Sequence, residues 1–157
     1  MNSRYNLLQY FILKGEIYYD KILCKQWEDC KEEVREYFKT HKQSKYATNY
    51  EDILGVILDC INSHNERIIF NTEKLETIDY GDYQGTLIYV FAQDTYQPSA
   101  NDTFYTSVEY GSCSGCDTLQ AIQGYCLEEL PNEKQVEGYM KLSLDILQRI
   151  NRFKDYE

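Results

Sequence analysis

The sequence predicts one α+β domain spanning residues 1–157, helical over 1–65, antiparallel strands over 66–110 and helical again over 111–157. Two helical stretches flank a segment whose apolar residues run in short blocks of strand length. The order helices, strands, helices argues against alternating βαβ units and for a small antiparallel sheet of three to four strands. A chain of 157 residues with 43% hydrophobic content can bury a sizeable core without cross-links.

Leu7, Leu8, Phe11 and Ile12 fall on one face of a helix. Ile17, Tyr18 and Ile22 either continue it past Gly15 or begin a second piece. Lys25 to Thr40 reads as a charged helix with Trp27, Val34, Tyr37 and Phe38 on its buried side, and His41 to Ala47 as a loop. Thr48-Asn-Tyr-Glu51 has the form of a capping box, and opens a helix burying Ile53, Leu54, Ile57, Leu58 and Ile61. Arg67 to Phe70 and Leu75 to Tyr80 read as short strands, the latter turning through Tyr80-Gly81-Asp82-Tyr83 in a two-residue hairpin of type II′. Thr86 to Ala92 is apolar on both faces, as in a central strand. A loop containing Pro98 leads to a further strand, Thr103 to Tyr110. A short helix from Cys116 to Gln123 ends at Gly124. Asn132-Glu-Lys-Gln135 opens a long last helix whose apolar positions run from Val136 to Phe153.

Charge is unevenly divided. Residues 1–50 hold nine Lys/Arg against seven Asp/Glu, whereas residues 51–157 hold seven against nineteen, for a net of −10 overall. The 59 residues from Leu75 to Glu133 contain no lysine or arginine, ten carboxylates and seven of the 16 tyrosines. A field of this sign repels nucleic acid and anionic membranes and favours a basic protein surface. Tyrosine, with a large ring and one hydroxyl, suits half-buried surfaces and interfaces, although an AT-rich genome enriches it too. The residues singled out for partner contact are Asp79, Asp82, Tyr83, Asp94, Asp102 and Glu109. No apolar stretch approaches the roughly 20 residues of a membrane-spanning helix. The first apolar run is too short and interrupted for a secretory signal, so six cysteines read as reduced thiols in a cytoplasm.

Gly111-Ser-Cys-Ser-Gly-Cys-Asp117 is the most distinctive motif. Ser114 would cap the following helix, with Asp117 at the third helical position, Cys116 in the first turn and Gly111 and Gly115 allowing close backbone packing. A thiol in that place has a lowered pKa. Three readings compete. As a redox pair, Cys113 and Cys116 lack the thioredoxin-like strand and proline downstream. As a zinc knuckle they need further ligands, of which Cys126 is the nearest, while Cys24, Cys30, Cys60, His41 and His64 lie scattered. As a structural turn, the small residues simply join strand to helix. Elsewhere no phosphate-binding glycine loop or nucleophile–base–orienter set is present, so enzymatic chemistry is not expected.

Tyr110-Gly-Ser-Cys-Ser-Gly-Cys-Asp-Thr-Leu-Gln120, preceded by Gly81-Asp-Tyr-Gln-Gly-Thr86 and an apolar strand, resembles a group of small proteins from bacteriophages and bacterial mobile elements. The resemblance covers roughly residues 79–124 and implies a phage setting, with no catalytic residues to carry over. The expected function is a non-enzymatic acidic module that binds and modulates a basic host protein, for instance in defence or nucleic-acid handling. The alternative is a Cys-x-x-Cys zinc or thiol redox protein.

Overall fold

The computed structural model describes residues 3–44, 49–65, 67–125 and 128–153, with side chains from residue 22 onward. The first element is one continuous helix, α1 (Ser3–Thr40), which runs through Gly15. At 1.5 Å per residue its 38 residues span about 57 Å. Leu23, Trp27, Cys30, Val34 and Phe38 recur at three and four residues and form its buried stripe. Tyr37, expected on that stripe, instead lies at the surface and stacks on His41, with ring centroids 3.7 Å apart.

Helix α2 (Tyr50–Ser63) buries all five expected positions together with Tyr50 and Cys60. Its capping box is one residue later than expected: the Asn49 side chain accepts from Asp52 N–H, and the Asp52 carboxylate accepts from Asn49 N–H. Thr48 lies outside the described residues. Asparagine caps as well as threonine, so the tertiary position of the chain decided between two adjacent boxes.

The predicted strand at 67–70 does not form; only Phe70 bridges to Gln93. The Asn62 side-chain amide satisfies both backbone groups of Phe70, at 2.8 Å each, as a neighbouring strand would have done. The sheet is β1 (Glu76–Gly81), β2 (Gly85–Ala92), β3 (Thr103–Tyr110) and β4 (Asn151–Arg152), antiparallel throughout and in sequence order, with β2 central as its composition required. The β1–β2 connection has three residues, 82–84, rather than two, and neither flanking glycine has positive φ. Gly81 and Gly85 face each other across the closing pair, where a Cβ on either would strike the other strand's backbone. Close approach, not handedness, explains the glycines.

A short 3₁₀ turn, Ala100–Asp102, precedes β3, and α3 (Thr118–Gln123) follows it. Gly124, at φ +57°, ends α3. Helix α4 (Glu133–Gln148) opens on the expected box between Asn132 and Gln135. It stops earlier than its apolar pattern implied, because the chain turns at Arg149 and Phe153 N–H bonds Thr103 C=O as β4 joins the sheet.

Residue pairing fixes the two faces of the sheet. Leu87 with Val108, Tyr89 with Thr106 and Phe91 with Phe104 point toward the helices. There the buried Thr106 hydroxyl bonds Ile146 C=O, and Phe70, Phe91 and Phe104 pack edge-on and stacked. Ile78, Ile88, Val90 and Tyr105 point the other way and remain partly accessible. Helix α1 packs on α2 and α4, tied to α4 by the Arg35–Glu137 ion pair. Gln43, buried after α1, takes the Tyr139 hydroxyl at 2.8 Å and pairs its backbone with 128–129. Among the described residues no helix is long and apolar enough to cross a membrane.

Candidate functional site

The hairpin closes beside the cysteine turn, since Gly85 pairs with Tyr110 and the chain enters Gly111 directly. This end of the sheet therefore brings together Asp79, Asp82, Tyr83, Glu109 and the Cys113–Cys116 turn. Tyr80 and Tyr83 are 79% and 84% exposed, far beyond what a core or boundary tyrosine shows. The carboxylates do not share one face. Asp79 lies on the helix side, where it accepts from the Tyr110 hydroxyl at 2.7 Å; that bond pushes the phenol's pKa upward. Glu109 lies on the open face with Ile78 and Ile88, and Asp82 and Tyr83 lie in the loop itself.

Asp94 and Asp102 sit at the opposite end of β2 and β3, about 24 Å away by strand rise. Asp102 is occupied locally: it accepts from the Ser99 amide at 3.0 Å and hydroxyl at 2.8 Å, which holds its carboxyl below the usual range. The six predicted contact residues thus divide into four at the hairpin end and two at the other. The open face between them carries Ile78, Ile88, Val90 and Tyr105, with Phe153 tilted over Tyr105 at a ring-centroid distance of 5.0 Å.

The cysteine turn is built differently from its sequence pattern. Asp117, not Ser114, caps α3, accepting from Gln120 N–H at 2.9 Å. Cys116 consequently precedes the helix instead of lying in its first turn. Asp117 is buried and almost fully satisfied: it also takes the Gly111 amide at 3.0 Å and the Tyr50 hydroxyl at 3.1 Å. The Tyr50 oxygen in turn accepts from Leu119 N–H, so one carboxylate locks strand, turn and two helices together. Three donors converging on a carboxylate are what make its burial tolerable. Gly111 is the crowded glycine, where a Cβ would lie 2.5 Å from the Cys116 carbonyl and sulfur. Gly115 meets only Cys113 Sγ, at 3.8 Å, so the packing expected of it belongs to Gly111.

Cys113 and Cys116 are exposed, which departs from a turn whose cysteines act as buried packing. Their sulfurs lie 2.9 Å apart, with Cys113 N–H directed at Cys116 Sγ at 3.2 Å. The hydrogen bond from Cys113 pulls the Cys116 thiol below its ordinary pKa. Cys126, the third possible ligand, lies outside the described residues.

A second cluster went unread in the sequence. Glu33, Cys60 and His64 bring their ligand atoms within 4.8 Å of one another between α1 and α2. Cys60 and His64 are spaced i, i+4, one face of a helix, which was the available signal. Glu33 was invisible because only helix packing delivers it. Compared with known proteins, the chain matches no family model, no curated protein and no solved structure.

Proposed function

We propose that this chain is a non-enzymatic protein-binding module that docks a basic protein surface against the hairpin end of its sheet. The observation that carries the reading is the pair of almost fully exposed tyrosines, Tyr80 and Tyr83, set among Asp79, Asp82 and Glu109 in a stretch without lysine or arginine. Exposed rings supply contact area at low entropic cost, and uncompensated carboxylates steer a cationic partner. The adjoining open face with Ile78 and Ile88 extends the surface with an apolar patch. The resemblance of residues 79–124 to phage proteins supports a phage-encoded chain acting in a host cytoplasm, where the partner would be a defence or nucleic-acid-handling protein. Carboxylates at both sheet ends would then stand in for phosphates in that partner's groove. Affinity capture from bacterial lysate at low and high salt tests the reading. The expected result is a partner lost at high salt and lost at any salt by Asp82→Lys/Glu109→Lys. Recovery of nothing at low salt, or equal recovery by the charge-reversed variant, overturns it.

A second reading is favoured by the 2.9 Å sulfur separation. The Cys116 thiolate would attack a partner disulfide to give a mixed disulfide. Cys113 would then displace the partner, releasing it as a dithiol and leaving Cys113–Cys116 oxidised. With an added ligand the same pair would instead hold zinc. Thiol counting with and without reductant and metal analysis distinguish these from binding alone, since a purely binding turn stays reduced and metal-free.

A further inference from the structure

We infer that Glu33, Cys60 and His64 form a divalent transition-metal site, best suited to zinc, that clamps α1 to α2. Glu33 of α1 and Cys60 of α2 line an open groove shared with Tyr37, Val56, Asp59 and Ser63, and His64, the C-cap of α2, brings its ring within 4.8 Å of both donors. Cys60 is aimed toward α1 by its hydrogen bond to the Cys30 carbonyl at 3.2 Å, and its sulfur lies 3.7 Å from Glu33 Oε2. Glu33 Oε1 and His64 Nε2 are 2.6 Å apart, a hydrogen-bond contact that a cation between them would replace.

The geometry is close to what zinc asks. Bonds of about 2.3 Å to sulfur and about 2.0–2.2 Å to nitrogen and oxygen place tetrahedral donors about 3.3–3.8 Å apart. The present atoms all lie within 4.8 Å, so side-chain rotation suffices to close the set around an ion while the Glu33–His64 contact opens. Thiolate, imidazole and carboxylate together form a borderline-soft set that selects zinc or cobalt over calcium and magnesium, which prefer all-oxygen cages. Three protein ligands and an open groove leave the fourth position to water. On coordination the Cys60 thiol gives its proton to solvent, while a neutral His64 ring keeps its one proton by carrying it on Nδ1 and freeing Nε2 for the metal, so metal binding releases one proton.

Titration of the reduced, chelator-stripped full chain with cobalt(II) tests this, because thiolate-ligated tetrahedral cobalt has intense visible and near-ultraviolet bands that zinc then abolishes. The expected result is one equivalent bound in the Cys113→Ser/Cys116→Ser double variant, which removes the other thiol pair. In that background His64→Gln and Glu33→Gln should each weaken binding by more than about 100-fold, beyond the roughly 10–100-fold that loss of an outer-shell partner costs. Cys60→Ala should remove the near-ultraviolet thiolate band. Both His64 and Glu33 are accessible, so their variants keep the fold, which circular dichroism verifies. Zinc should also raise the melting temperature of the double variant. Absence of the tetrahedral signature in the double variant, or its survival in Cys60→Ala and His64→Gln, overturns the site.

Discussion

Asp117→Ala should be the most damaging single change in the cysteine turn. It removes the α3 cap, worth about 1 kcal/mol, and strips the acceptor from the buried Gly111 amide and Tyr50 hydroxyl, each costing about 1–3 kcal/mol when unsatisfied. These terms share one side chain and do not add fully, so the loss should be about 3 kcal/mol. For a chain of this size that corresponds to a fall in melting temperature of about 6–12 °C. Asp117→Asn provides the comparison. Asparagine caps a helix as well as aspartate but presents only one acceptor oxygen, so it should cost about 1–2 kcal/mol, the loss from one unsatisfied donor. Urea denaturation with an unchanged m-value is the assay. A loss under about 0.5 kcal/mol for Asp117→Ala, the scale of an ordinary surface substitution, would refute the proposed lock.

Gly111→Ala should destabilise and disturb the Cys113–Cys116 pair, because its Cβ meets the Cys116 carbonyl and sulfur, whereas Gly115→Ala should stay within about ±0.5 kcal/mol; equal effects on urea midpoints would contradict the packing assignment. Burial pushes the Tyr50 hydroxyl up to about 12 from an ordinary 10.0. Its folded pKa is raised, so its stabilisation is complete below pH 10.0 and fades as pH climbs toward about 12. Tyr50→Phe should flatten that alkaline decline, and an unaltered pH profile would exclude Tyr50 as its source. Cys116, exposed with a lowered thiol pKa, should alkylate well before the buried Cys30 and Cys60 in the native state, and mass mapping showing a common rate would count against that order. Asn62→Ala should cost about 1–3 kcal/mol by leaving both backbone groups of Phe70 without their partner, and a neutral result would show that water replaces the amide.

Much of the fold was legible because local periodicity and capping chemistry act over a few residues. The apolar spacing in α2, the all-apolar β2 and the Asn132–Gln135 box each encode their element without help from distant chain. The same signals failed where two local solutions were nearly equal in energy. Asn49 and Asp52 prevailed over the Thr48–Glu51 box, Asp117 over Ser114, and a three-residue loop over a two-residue turn. At α3 the observed cap also gains a long-range contact that Ser114 does not have, since the Tyr50 hydroxyl donates to Asp117. A strand pattern at 67–70 likewise lost to a side chain eight residues away in sequence that supplied its hydrogen bonds. The acidic, lysine-free window and the paired cysteines were plain in the sequence. Their distribution over two ends and two faces of the sheet was not, because register is a relation between strands. Composition by itself determined the sign of the charge, and the order of helical and strand-like segments determined the α+β class. Only the packing of α1 on α2 could bring Glu33 to Cys60 and His64, since residues about thirty apart in sequence become neighbours through burial of apolar stripes that say nothing of the polar groups carried along.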